Sequence, residues 1–150
     1  MQLAWSWPGA ALVAALLVPT LIWARSGPVP PDLAPRWLAG IEGVSRVLFL
    51  LAAILTGGSA TWSGWTTGVL LAMAGYWACW LRFARGPRTV AELYRPALGI
   101  PVPMAVLPPV AGLLLAGHGR SWPLLAASVV FGVAHVAVAL LHAAATRGSR

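Results

Sequence analysis

Glu42 and Arg46 stand four residues apart. On a helix they share a face, in the better orientation for an i,i+4 ion pair. Inside an apolar segment ionisable groups are costly and are functional candidates. The pair reads as a structural ion pair, with a proton relay as the alternative, straddling the inner membrane interface. Toward the other end of the chain, His135 and His142 are seven residues apart, roughly 10 Å along one helix. Two imidazoles on one iron, with bonds of about 2 Å, must approach within roughly 4 Å, so these two cannot be the axial ligands of one haem within a chain. His118 falls on a distant connector. The expectation is no cofactor; a single-His haem on His135, or one bridging two copies, is the alternative. As the default, His135 is neutral and bonded across helices to a carbonyl freed by Pro108 or Pro109.

Catalysis lacks parts. Asp32, Glu42 and Glu92 are the three carboxylates, too few and too scattered for paired-carboxylate chemistry or an acidic metal site. There is no glycine-rich phosphate loop, His-Glu metal motif or nucleophile elbow. With the single Cys79, an intramolecular disulfide and a cysteine-based zinc site are both excluded. The expectation is a protein that is not an enzyme and holds no metal.

The elements that must position these residues are apolar. Hydrophobic residues make up 59%, charged residues only 9%, and mean hydropathy is +0.81, far from a soluble domain's roughly 25% charge. Five runs, over residues 3–24, 42–58, 65–81, 97–117 and 122–144, approach the roughly 20 residues a membrane-crossing helix needs. The predicted fold class is an all-α integral membrane bundle of five transmembrane helices, one domain over residues 1–150. A signal peptide competes for the first run, but no Lys or Arg precedes Leu3.

Nine of the ten arginines lie on one side of this arrangement, in the loops holding Arg25 to Arg46 and Arg82 to Arg95 and in the tail with Arg147 and Arg150; Arg120 is on the other. The positive-inside rule makes the topology N-out and C-in, with multi-pass placement in a bacterial cytoplasmic membrane. All ten cations being arginine, beside abundant alanine and glycine, suggests a G+C-rich bacterial genome. The net charge of +7 belongs against anionic headgroups, so membrane lipids are expected partners and nucleic acid is not. The segment Ser26 to Asp32 reads as polyproline-like, and Thr89-Val90-Ala91-Glu92 as a capping box opening a short helix through Tyr94. The nine tryptophans mostly fit interfacial belts.

Two helix faces are lined with small residues: Gly68, Ala72, Gly75 and Cys79 in the third run, and Ser128, Gly132, His135, Ala139, His142 and Thr146 in the fifth. Such stripes let backbones approach closely. Val130, Val133, Leu140 and Leu141, opposite the second stripe, suit acyl chains. Pro101, Pro103, Pro108 and Pro109 should kink or break the fourth helix; broken backbone at that depth must be covered by protein or a wet cavity.

Leu17 to Ala24, the cytoplasmic loop before Glu42, and Phe131-Gly132-Val133-Ala134-His135 resemble a group of small uncharacterised bacterial polytopic membrane proteins; that resemblance implies no activity. Five spans and many tryptophans are also similar to the tryptophan-rich sensory (translocator) family, which binds porphyrins and sterols. Its Trp-Pro-Pro signature is missing, since Pro30-Pro31 leads into Asp32 and Trp37 stands apart, so none of its ligand residues carries over. The functional expectation is an accessory or interaction protein, contacting another membrane protein or a second copy of itself. The alternative is a binder or carrier of a small hydrophobic ligand, lipid or porphyrin, in a cavity between the third, fourth and fifth helices. Gly75, Trp77, Met104, Pro108, Gly132 and His135 are its candidate cavity or helix-contact residues. An enclosed cavity lined by Trp77, Met104 and His135 favours the binder; a dry centre with exposed stripes favours the interaction protein.

Overall fold

In the computed structural model, which describes residues 4–24, 33–55, 61–97 and 99–148, the chain is all helix. The elements are α1 (Trp7–Ala24), α2 (Arg36–Leu55), α3 (Gly64–Arg85), α4 (Val90–Leu93), α5 (Pro103–Gly119) and α6 (Trp122–Gly148), with no strand among the described residues. Met1, Leu3, Arg25, the Ser26 to Asp32 segment, Gly58 and Arg150 lie outside the described residues, as does the side chain of Arg147.

Local chemistry sets the helix ends. Ser6 opens α1, its hydroxyl accepting the Gly9 N–H at 3.1 Å, the usual N-cap bond. α2 starts six residues ahead of the expected Glu42, with the Pro35 carbonyl accepting from Leu38 and Ala39. Polar residues had hidden this entry, because loss of apolar character is not loss of helix. Glu42 and Arg46 are consequently interior to α2, not at its threshold. Ser63 caps α3 and Gly86 closes it, with Arg82 and Arg85 in the last turn, where cations complement the helix dipole. Thr89 caps α4 by accepting the Glu92 N–H. The fourth apolar run is helical only from Pro103. Ahead of it Ala97 and Ile100 exchange backbone bonds of 3.1 and 2.9 Å around Gly99 at φ +78°, a conformation that favours glycine. The break expected inside this helix is therefore displaced to its entry: α5 runs on through Pro108 and Pro109. Proline's fixed φ is compatible with helix, and the cost falls on the Met104 and Ala105 carbonyls, which lose their donors four residues on.

α1, α2, α3, α5 and α6 alternate in direction. At one pole the end of α1 meets the end of α3, where Trp23 packs edge-on to Phe83 and stacks on Trp80, and Arg88 lies over Trp23 at 4.6 Å. The end of α6 meets Tyr94 and the entry to α2 there through His142. At the opposite pole Ser6 donates its N–H to Ile54 at 2.8 Å, and Ser63 bonds His118 at 3.0 Å. Among the described residues Arg36, Arg82, Arg85, Arg88 and Arg95 thus gather at one pole, and Arg120 sits at the other.

Packing depends on small residues. A Cβ on Gly9 would lie 1.7 Å from the Ala53 carbonyl oxygen, so α1 and α2 touch backbone to backbone. At Gly112 of α5 a Cβ would meet Phe49 of α2 at 2.3 Å and Ser128 of α6 at 2.6 Å. Gly75 faces Leu107 and Gly132 faces Pro109, so the glycines of both small-residue stripes look at α5. Val133, opposite, is 69% exposed. α2 and α6 are long and apolar enough to cross a membrane, and only 22% and 28% of their apolar windows are buried within the chain. α1 and α5 are apolar but shorter.

Pro19 lies inside α1 and deprives the Ala15 carbonyl of its donor four residues on. Trp77 of α3 replaces it, donating its indole N–H to Ala15 at 3.1 Å. The carbonyl re-satisfied by a neighbouring helix is thus on α1; the expected bond from His135 to one freed by Pro108 or Pro109 is not the one His135 makes.

Candidate functional site

Near the arginine-rich pole the helices leave a cavity of about 520 Å³. α2 contributes Glu42, Arg46 and Phe49; α5 contributes Met104 and Pro108; α6 contributes His135. Apolar side chains, among them Leu16 and Leu17 of α1, form most of the wall.

Glu42 is the polar centre. It is only 9% exposed, and one of its carboxylate oxygens takes two partners: Arg46 on its own helix and Nδ1 of His135 at 2.8 Å. A buried carboxylate is tolerable only with such compensation. Arg46 remains half in contact with the surroundings, its side chain 49% exposed. Because a carboxylate oxygen only accepts, Nδ1 of His135 carries a proton in this bond. Among the described residues Nε2 has no partner. Phe131 stacks on the imidazole at 4.8 Å and on Phe49 at 5.0 Å, so three parallel rings hold His135 in place.

Two turns further along α6, His142 sets a second polar contact. The Leu33 backbone N–H donates to its Nε2 at 3.5 Å, which puts the proton on Nδ1, 3.1 Å from the Tyr94 oxygen. Tyr94 therefore accepts from His142 and has its own O–H left to donate. Burial, reinforced by the nearby negative charge of Glu42, raises the Tyr94 hydroxyl above the ordinary phenol range, so it keeps that proton. Tyr94 and His142 both line the cavity.

Of the residues singled out from the sequence, the cavity brings together Glu42, Arg46, Met104, Pro108 and His135. Gly75 and Gly132 serve the α5 contacts instead. Trp77 points to α1, where the Ala15 carbonyl holds its indole, and does not line the cavity. The cavity also extends beyond the expected third, fourth and fifth helices, since α1 and α2 wall it as well. No family model, curated protein or solved structure matches this chain. Among the described residues no group of three or more His, Cys, Asp or Glu could hold a metal ion.

Sequence reasoning missed the Tyr94–His142 contact, the placement of α1 and the Glu42–His135 bond. For His142 a signal existed, its position on the same stripe as His135. For Glu42 and His135, 93 residues apart, no local pattern announces the pairing.

Proposed function

We propose that the chain is a multi-pass protein of the bacterial cytoplasmic membrane that binds a small hydrophobic ligand in the cavity beside Glu42 and His135. In this reading α1, α2, α3, α5 and α6 are the five spans, and the arginine-rich pole faces the cytoplasm. Support comes from the alternating helix directions, the arginines gathered at one pole, and the apolar outer faces of α2 and α6. Trp7, Trp62 and Trp122 are strongly exposed around the other pole, where amphipathic rings would meet headgroups. The activity is binding rather than catalysis, and the surrounding partners are lipids rather than nucleic acid.

One observation carries the binding reading over the interaction reading: Met104 and His135 line a half-open, largely apolar cavity of about 520 Å³, within the usual range of ligand pockets, beside the Glu42–Arg46 ion pair, although Trp77 is not in its wall. Its test is mass spectrometry of organic extracts from protein purified in mild detergent. The expected result is one amphiphile enriched to near one per chain, and lost from Ala105→Phe, which places a ring where a buried cavity residue stands. Ala139→Phe provides a second filled variant on α6. The same background of bulk lipid on the wild type and both filled variants would overturn the proposal.

A further inference from the structure

A second concave surface lies at the arginine-rich pole and shares no lining residue with the cavity. It is an open groove walled by Ala78, Leu81, Arg82 and Arg85 of α3 and by Glu92 and Arg95 beyond it. Three arginines here face one carboxylate, and Glu92 pairs with Arg95 at 3.3 Å. Arg82 donates to the Arg95 carbonyl at 2.9 Å and to the Pro96 carbonyl at 3.5 Å. Those contacts fix its guanidinium but, being neutral, leave its charge uncancelled. Its Nε–H is buried with no acceptor among the described residues. Arg85 is exposed, and no ion pair reaches it among the described residues. The groove thus holds two positive charges without a counter-charge, and one of them is oriented before any ligand arrives.

The rest of the wall is apolar, and it continues along the helix. Ala78 and Leu81 belong to a row of exposed side chains with Leu71 and Ala74, spaced by three or four residues and so on one face of α3. From Leu71 to Leu81 the row is roughly 15 Å long. That is half of the roughly 30 Å of hydrocarbon in a bilayer, the depth of one leaflet. An anion without a chain would use the arginines alone, whereas an amphiphile with an anionic head uses both parts. The charge of the head follows from the groove. A zwitterionic phospholipid returns a positive charge with its ammonium, and a single phosphodiester leaves one arginine unmatched; two negative charges match both. We propose that the groove is a site for a phospholipid of the cytoplasmic leaflet whose head carries two negative charges, as one phosphomonoester or two phosphodiesters. The phosphate lies beside Arg82 and Arg85, and an acyl chain runs along Leu81, Ala78, Ala74 and Leu71. This assignment rests on the membrane placement proposed above and not on the cavity's ligand. Basic pockets on the cytoplasmic side of membrane proteins take such heads.

The test is native mass spectrometry of the purified full chain in mild detergent, titrated with dioleoyl phosphatidic acid, tetraoleoyl cardiolipin, dioleoyl phosphatidylglycerol and dioleoyl phosphatidylcholine. Glycerol 3-phosphate serves as the head without chains. One matched arginine is about a fivefold effect, so the first two lipids should bind about fivefold tighter than phosphatidylglycerol and about 25-fold tighter than phosphatidylcholine. Arg85→Gln, at an exposed position, should weaken the first two about fivefold. Arg88→Gln makes the same charge change at the same pole but outside the groove, and should leave their affinity unchanged. Equal affinity for all four lipids, or equal losses from Arg85→Gln and Arg88→Gln, overturns the site, since the attraction would then belong to the whole pole. Glycerol 3-phosphate binding as tightly as phosphatidic acid would give the groove to a soluble phosphate and overturn the lipid assignment. Alkaline washing of native membranes reads the membrane placement separately. A chain that stays in the membrane but shows no lipid preference defeats this inference alone; a chain that is released defeats both.

Discussion

Trp77→Phe removes one hydrogen-bond donor from the α1–α3 contact and keeps an aromatic ring there. The donor matters because of Pro19: with no N–H at that position, the Ala15 carbonyl depends on the Trp77 indole at 3.1 Å. A net hydrogen bond contributes about 0.5–1.5 kcal/mol, and those between helices in lipid average about 0.6 kcal/mol with a maximum near 1.7. An orphaned carbonyl lies toward the upper part of that range, so the lost bond should cost about 1 kcal/mol. Trp77→Phe also removes apolar contact, and a single variant cannot separate the two. Pro19→Ala does, because it restores a backbone donor four residues after Ala15. In that background the loss of the indole leaves no orphan, and only the packing cost survives. The two substitutions should therefore couple by about 1 kcal/mol, above the roughly 0.3–0.5 kcal/mol scatter of independent sites. Equilibrium unfolding of the four variants in mixed micelles measures it. Additivity would refute the role given to Trp77.

Three further outcomes follow from the packing and the site. Gly9→Ala should cost about 3 kcal/mol or abolish folding, because its Cβ would meet the Ala53 carbonyl at 1.7 Å and backbone cannot yield as a side chain does; Gly75→Ala should cost under about 1 kcal/mol, its neighbour being the tip of Leu107 at 3.3 Å, and thermal unfolding in detergent compares the two. Glu42→Ala and His135→Ala should couple by about 1–2 kcal/mol, whereas Glu42→Ala and Arg46→Ala should couple by less than about 1 kcal/mol because Arg46 is half exposed; the same unfolding assay reads both cycles, and reversed magnitudes would count against His135 as the principal partner. In a Cys79→Ala background, an impermeant thiol reagent added to intact cells should label Arg120→Cys and spare Arg85→Cys; the opposite pattern inverts the topology.

What was legible in the sequence was what neighbours along the chain decide. Apolar runs marked the five long helices, Thr89 and Glu92 marked α4, and the spacing of Gly68, Gly75, Ser128 and Gly132 marked the faces that meet α5. Hydropathy misplaced the start of α2, because Arg36 and Gly40 break up the apolar character ahead of residue 42 without interrupting the backbone hydrogen bonding. It also merged residues 97–102 into α5, since a proline-rich turn can be as apolar as a helix. The counting of prolines identified the need for substitute donors but assigned it to Pro108 and Pro109, when Trp77 meets it at Pro19. Glu42 and His135 were each recognisable as costly groups in apolar segments. That each is the other's partner depends on α2 packing against α6, a tertiary fact with no local signature.

The central claim is that the cavity beside Glu42 and His135 is occupied in the cell. Site-specific photocrosslinking in native membranes addresses it directly, with a benzophenone side chain at Met104, which lines the cavity, and at Val133, which faces outward. Mass spectrometry of the adducts should find one dominant small molecule at position 104 and a mixture resembling bulk phospholipid at position 133. The same phospholipid mixture at both positions would contradict the account.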